Sequence, residues 1–188
     1  MSLLEHDTMA LDLARWACPI GAADESVLAH AVGPVLDVGC GPGRHVRALI
    51  GRGTLAVGID AAPEAVRLAR VHGTHLIEGS VFDAVAGAGT WRTALLLDGS
   101  VGIGGRPVAL LERVRELLAP GGTLLVEGEP PGTPTSTGRA RVHLDGGHSP
   151  AFPWAVVGSD DLPALAHAAG LAVARQWTEA GRWFAALR

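Results

Sequence analysis

Seven consecutive residues, Asp37-Val38-Gly39-Cys40-Gly41-Pro42-Gly43, carry the most specific chemical pattern in the chain. Glycines at alternate positions permit a tight turn and let a ligand approach the backbone with no Cβ in the way. A helix beginning near Gly43 would add free amide donors at the same place. Asp60 lies 23 positions after Asp37, near the roughly 20-residue offset at which an acid accepts hydrogen bonds from ribose hydroxyls. A nucleoside-containing ligand is the chemistry this pattern predicts. Asp60 also reads as a cap for a helix opening at Pro63, and the two roles can coexist. For proton transfer, His143 and His148 are the first candidates, since their unperturbed pKa is near 6.5. Glu127 and Glu129 come next. Asp145-Gly146-Gly147, between the two histidines, is also a turn signal. His45 and Arg44 directly follow the glycines, where a solvent-facing place in a helical turn is the expectation. Cys18 and Cys40 show neither CxxC nor Cys/His ligand spacing, so no metal site is expected, and Cys40 reads as a small residue in a crowded turn.

These residues need strands and helices to hold them. Val35 to Gly39 is a short β-branched run, Arg44 to Ile50 the helix after it, and Thr54 to Ile59 a second buried strand ending at Asp60. Pro63 suits the first turn of the next helix. His75 to Glu78 and Thr93 to Leu97 read as the third and fourth strands, the latter ending at Asp98-Gly99. Pro107 to Leu118 is an amphipathic helix, with Val108, Leu111, Val114 and Leu117 on one side and a charged, solvated face on the other. Pro120-Gly121-Gly122 stops it, and Thr123 to Glu127 is the fifth strand. A Pro/Gly/Thr-rich loop follows from Glu129. A helix capped by Ser159 or Asp160 runs through Ala169, and Leu171 to Trp177 and Trp183 to Leu187 pair around Glu179-Ala180-Gly181. At the other end, residues 9–31 read as one or two short helices broken at Cys18-Pro19-Ile20-Gly21, with Asp24 as N-cap. Strands alternating with helices imply a parallel α/β sheet, in which ligands bind beyond the carboxyl ends of the strands.

The glycines distinguish between nucleoside ligands. A dinucleotide GxGxxG counted from Gly39 would need a small residue where Arg44 stands. The sequence instead resembles the class I S-adenosylmethionine-dependent methyltransferases, whose Asp/Glu-x-Gly-x-Gly-x-Gly motif stands here as Asp37 to Gly43. Gly58-Ile59-Asp60 matches the family's ribose acid, Gly79-Ser80-Val81-Phe82-Asp83 lies at its adenine position, and Leu117 to Leu124 looks like its helix-to-fifth-strand turn. The resemblance implies a Rossmann-like α/β fold: seven strands in the order 3-2-1-4-5-7-6, strand 7 antiparallel, helices on both faces. It implies S-adenosyl-L-methionine as cofactor, with Asp37 and the Gly39, Cys40, Gly41 and Gly43 backbone holding its methionine part. Asp60 and the adjoining Ala61 would lie at the ribose. Many relatives place an Asp where Ser80 stands, so Ser80, Asp83, or the backbone with Val81 and Phe82 would hold the adenine. Asp98 and Gly99 would border the methyl-transfer region. The Asn-Pro-Pro-Tyr or Asp-Pro-Pro-Tyr signature of nucleic-acid and some protein amino methyltransferases is absent, which favours a small-molecule acceptor. A protein of this fold that binds S-adenosylmethionine or S-adenosylhomocysteine without methyl transfer is the alternative.

Composition sets the outer bounds. At 188 residues and 19.3 kDa, one domain is expected. Within it, 1–33 would form a helical cap, 34–128 the cofactor half, and 129–188 a substrate-side loop and C-terminal hairpin. Hydrophobic residues at 48 % and a mean hydropathy of +0.28 supply a core. A net charge of -4 offers no footprint for nucleic acid. No window approaches an 18-residue apolar span and the acidic N-terminus is no export signal, so no membrane association is expected. With two cysteines, a reducing cytoplasm is the expected compartment. All fifteen basic residues are Arg, and Lys, Asn and Tyr are absent, which suggests a GC-rich bacterial genome.

Overall fold

The computed structural model describes residues 8–12, 16, 18–144 and 147–188. Its main sheet is built from β2 (Val35–Val38), β3 (Ala56–Asp60), β4 (Leu76–Glu78), β5 (Trp91–Leu96), β6 (Leu118–Gly128), β10 (Val173–Glu179) and β11 (Arg182–Leu187). The order across the sheet is β4-β3-β2-β5-β6-β11-β10. Six of the seven strands run in one direction, and β11 is antiparallel to its neighbours β6 and β10. This is the expected 3-2-1-4-5-7-6 arrangement. Ala180 and Gly181, at φ 47° and 74°, make the tight turn between β10 and β11.

Both faces of the sheet are buried, so each strand is apolar on both sides. Leu36, Val38, Leu96 and Val126 face a cluster completed by α4 (Pro107–Leu117) and α5 (Leu162–Ala168). Val35, Leu95, Leu125 and Phe184 face the opposite cluster with Val27 and Leu28 of α1 (Ala22–Leu28) and Val46 and Leu49 of α2 (Arg44–Gly51). The period-2 alternation of a strand then places Asp37 on the Val35 face, Glu127 on the Leu125 face and Arg182 on the Phe184 face. These three charges therefore look towards α1 and α2. The remaining helix, α3 (Pro63–Val71), opens with Pro63 in its first turn after β3.

Three expectations fail. Residues 8–12 form a strand, β1 (Thr8–Asp12), so among the described residues the helical reading of 9–31 holds at Trp16 and over α1. Residues 129–158 are not simply loop: β7 (Ser136–Leu144), β8 (Gly147–His148) and β9 (Phe152–Val156) lie there. With β1 they form a second sheet in which β7 pairs parallel with β1 and antiparallel with β8 and β9. The reason is long-range pairing: β7 finds its partner in a segment more than a hundred residues earlier, which no local propensity reports. Asp24 is likewise not the N-cap. Gly21 caps α1, and its amide donates to the Asp24 carboxylate from three positions away.

The second sheet is fastened over the main one at the turn after β5. Ile103 forms an isolated β-bridge with Trp154. At Gly102 a Cβ would overlap the Ala155 carbonyl oxygen and stand 3.0 Å from the Trp154 indole nitrogen. Gly102→Ala is expected to destabilise the protein by about 1–3 kcal/mol through this overpacking. Thermal denaturation checks it, and an unchanged midpoint would show that the two sheets can separate without cost.

Candidate active site

The turn after β2 is shaped by its glycines. Gly39, Gly41 and Gly43 have φ of 70°, 53° and 81°, a left-handed region that a side chain strains to enter. A Cβ at Gly39 would stand 2.6 Å from Ile103 Cδ1. Cys40 is packed against Gly58, and burial, with the charges of Asp37 and Asp60 adding to it, pushes its thiol well above the ordinary value. It is a buried protonated thiol and no nucleophile.

A cavity of about 800 Å³ opens above this turn. Asp37, Gly39, Cys40, Gly41, Asp60, Ala61, Ser80, Val81, Phe82 and Asp98, all singled out in the sequence, lie on its wall. Gly43, Asp83 and Gly99 do not, nor do Glu127 and Glu129. The Asp60 carboxylate accepts the Gly41 amide on Oδ2 and the Ala62 amide on Oδ1, each at 2.8 Å. It thus braces the glycine turn and leads into α3 while one lone pair on each oxygen is left over. Burial raises its pKa despite these two donors. Ser80 Oγ accepts the Phe82 amide at 3.2 Å, and the Asp83 carbonyl, not its carboxylate, is engaged, by Arg113.

Asp37 is 2 % exposed and its Oδ2 has no hydrogen-bond partner among the described residues. The nearest cationic group is His45, whose Nδ1 stands 3.8 Å away. A buried carboxylate oxygen without a donor at a cavity wall is costly unless a ligand supplies one. The α-ammonium of an amino-acid moiety is a donor of the right charge. The site residues therefore fit a cofactor with a methionine end over Asp37 and a ribose near Asp60.

Beside Asp37 sits a charge cluster that the sequence did not reveal. Arg44 and His45 are buried, at 8 % and 4 % exposure, not solvent-facing: α2 begins directly under the glycine turn, so its first residues point into the sheet. Arg44 donates to Asp24 at 2.6 Å and to Asp98 at 2.8 Å. Arg182 reaches Asp24 at 2.6 Å, Asp98 at 2.8 Å and Glu127 at 2.6 Å. Glu127 in turn accepts the Asp98 amide at 2.7 Å. Asp98 has φ 55°, and Gly99 follows at 85°, so a strained turn and ion pairs together fix this carboxylate at the cavity.

His45 Nε2 lies 3.2 Å from Asp24. Desolvation opposes its charge, but the bond to Asp24 and the nearby carboxylates of Asp37 and Asp98 outweigh it and push its pKa up to about 9. Asp24 is held well below the ordinary carboxylate range: burial works against its charge, and His45, the Gly21 amide and both guanidiniums overcome that. Asp24, His45 and Asp98 offer ligand atoms within 4.8 Å of one another. Two arginines already serve the carboxylates, and their charge opposes a further cation, so this trio is an ion-pair cluster.

Of the proton-transfer candidates, His148 lies on the cavity wall in β8. The backbone of His143 pairs with it from β7, and the His143 side chain, with Asp145 and Gly146, lies outside the described residues. Trp16, Phe152 and Trp154 also line the cavity.

The methyltransferase domain family matches residues 35–122. A crystal structure of an S-adenosylmethionine-dependent methyltransferase from Bacteroides fragilis, in complex with S-adenosyl-L-homocysteine, superposes with a TM-score of 0.74 at 25 % identity, covering 94 % of this chain and 79 % of that one. Residues 35–122 form a methyltransferase domain, and the chain is similar in fold to S-adenosylmethionine-dependent methyltransferases. The CcbJ methyltransferase from Streptomyces caelestis shares the fold, with TM-score 0.69, 19 % identity, and coverage of 92 % and 91 %. So does the 1,6-didemethyltoxoflavin-N1-methyltransferase of Burkholderia thailandensis, solved with 1,6-didemethyltoxoflavin and S-adenosylhomocysteine, at 0.64, 20 %, 88 % and 76 %. No curated protein matches by sequence. As in this family, the glycine turn and Asp60 stand at the carboxyl ends of β2 and β3, the crevice where open α/β sheets bind ligands. Among the described residues no helix of this methyltransferase is long and apolar enough to cross a membrane.

Proposed function

We propose that this methyltransferase moves the methyl group of S-adenosyl-L-methionine to a small-molecule acceptor in the cavity between the two sheets. The observation that carries the reading is the buried Asp37 Oδ2 beside the glycine turn, which accepts no hydrogen bond from the described residues, on one wall with Asp60. When bound, the cofactor supplies a methyl group activated by its sulfonium. Asp37 and the Gly39 to Gly43 backbone hold the methionine end, Asp60 and Ala61 the ribose, and Ser80 with Val81 and Phe82 the adenine side. Asp98, held and neutralised by two guanidiniums, borders the transfer region. Proximity and exclusion of water then do most of the work, as in other two-substrate transfers. For a hydroxyl acceptor, His148 on the cavity wall is placed to take the proton, with His143 the alternative. The low cysteine count of two and the all-Arg composition support a bacterial cytoplasmic setting.

Calorimetry with S-adenosylmethionine and S-adenosylhomocysteine tests the cofactor, and transfer of labelled methyl to extracted metabolites tests the reaction. Binding without transfer would mean a cofactor-binding protein, and binding of neither ligand would overturn the reading. Asp60→Ala is expected to weaken S-adenosylhomocysteine by about 1.5–3 kcal/mol, roughly 10- to 100-fold, the range for a hydrogen bond to a charged group. An unchanged affinity would remove Asp60 from the ribose.

A further inference from the structure

We infer that the acceptor is a flat, uncharged ring compound, and that Trp154 selects it. The inference rests on the methyl-transfer reading above and concerns the half of the cavity that the cofactor residues do not line. That half is built by the second sheet and by the turn after β5. Its walls are Ile103, Val142, Phe152 and Trp154, with Leu11 and Pro150 beside them. Strand alternation produces this lining. Ala140 and Val142 of β7 are buried, while Arg139 and Arg141 between them are exposed on the other face. On β9, Phe152 and Trp154 share a face, their rings edge to face at 5.9 Å and 76°. Ile103 joins the two halves: its side chain lies over Gly39, and its backbone bridges Trp154. An acceptor close to the glycine turn therefore meets Ile103 and the Trp154 strand.

Charge decides the class. The charged residues described on the cavity wall are Asp37, Arg44, His45, Asp60, Glu64, Asp98 and His148. Arg44 is shared between Asp24 and Asp98, and Asp98 is held by Arg44 and Arg182. Asp37, His45 and Asp60 belong to the cofactor side, and Glu64 is paired with Arg67 at the surface. Among the described residues, an acceptor carboxylate, phosphate or ammonium entering the Ile103–Trp154 half would lose its water without gaining a counter-charge from any arginine or acid there. His148 at the rim offers a hydrogen bond to a ring hydroxyl or ring nitrogen. Two aromatic side chains and a branched aliphatic wall reward a planar apolar body instead.

The test uses purified full-length protein, first titrated with S-adenosylhomocysteine by calorimetry and then, with that ligand bound, with 2-naphthol, 2-naphthoate and glucosamine. We expect 2-naphthol to bind at least tenfold more tightly than either charged probe. Trp154→Ala should weaken 2-naphthol tenfold or more with S-adenosylhomocysteine affinity changed less than threefold, and Trp154→Phe should retain most of the binding. Equal or tighter binding of 2-naphthoate or glucosamine, or an undiminished 2-naphthol affinity in Trp154→Ala, would overturn the inference. If Trp154→Ala unfolds, Trp154→Phe and the three-probe comparison on the unaltered protein still decide it. Failure of S-adenosylhomocysteine itself to bind would strike the cofactor reading, and the same probes titrated alone would then still report on the ring site.

Discussion

Asp24→Ala is expected to lower the unfolding free energy by about 3–5 kcal/mol, the range for removing one partner of a buried ion pair. Asp24 is 3 % exposed and receives Arg44, Arg182, His45 and the Gly21 amide. Its loss leaves Arg44, largely buried, with Asp98 alone and strips His45 of its closest acceptor. Urea unfolding of the two proteins measures the effect. A second variant separates charge from packing: in Arg182→Met the apolar stem is kept and the guanidinium lost. Because both residues belong to one network, the double variant should lose less than the two single losses added together. Strict additivity, or a loss below about 1 kcal/mol for Asp24→Ala, would mean that water reaches the cluster and screens it.

The second large effect is a fall in stability above neutral pH. His45 has an ordinary pKa of 6.5 and one of about 9 in the folded protein. The folded state thus binds the proton more tightly than the unfolded chain. The stabilisation is fully present below pH 6.5 and is lost as pH rises through 9. The difference corresponds to stability on the order of 3 kcal/mol. Urea unfolding at pH 6, 7, 8 and 9.5 should show the decline, and His45→Asn should flatten it. Asp24 acts in the opposite direction: its lowered pKa contributes stability above 3.8 that is lost as pH falls further. Maximum stability is therefore expected between these limbs. A wild-type curve level from pH 6 to 9.5, or an equal decline in His45→Asn, would remove His45 as the titrating group.

The sheet and the cofactor wall were legible because their signals are local. Asp37 to Gly43 and Asp60 each mark a strand end or a turn within a few residues, and strand alternation does the rest, although Pro120-Gly121-Gly122 falls inside β6, where its pairing with β5 shifts register. The charge cluster was not legible, since Asp24, Asp98, Glu127 and Arg182 come from four distant segments, and nothing near Arg182 indicates its partners. His45 and Arg44 looked like the exposed start of a helix because burial is a property of what packs above, not of the residue. The second sheet carried a signal that composition hid. Arg139-Ala140-Arg141-Val142-His143 alternates strictly, yet the surrounding Pro, Gly and Thr made the whole stretch read as loop. Pro153 lies within β9, where a proline is tolerated because the strand lacks a second neighbour.

The contact between Arg182 and Asp24 spans 158 positions, and the bond from the Trp177 indole to Ser26 spans 151. Closing so large a loop costs chain entropy that only native contacts repay, so these links form late rather than early in folding. During synthesis the glycine turn, Asp37 and Asp60 leave the ribosome long before the cation that completes the cluster at Asp98. A chain stopped short of the last hairpin carries the cofactor motif but leaves Asp24, Asp98 and Glu127 without Arg182.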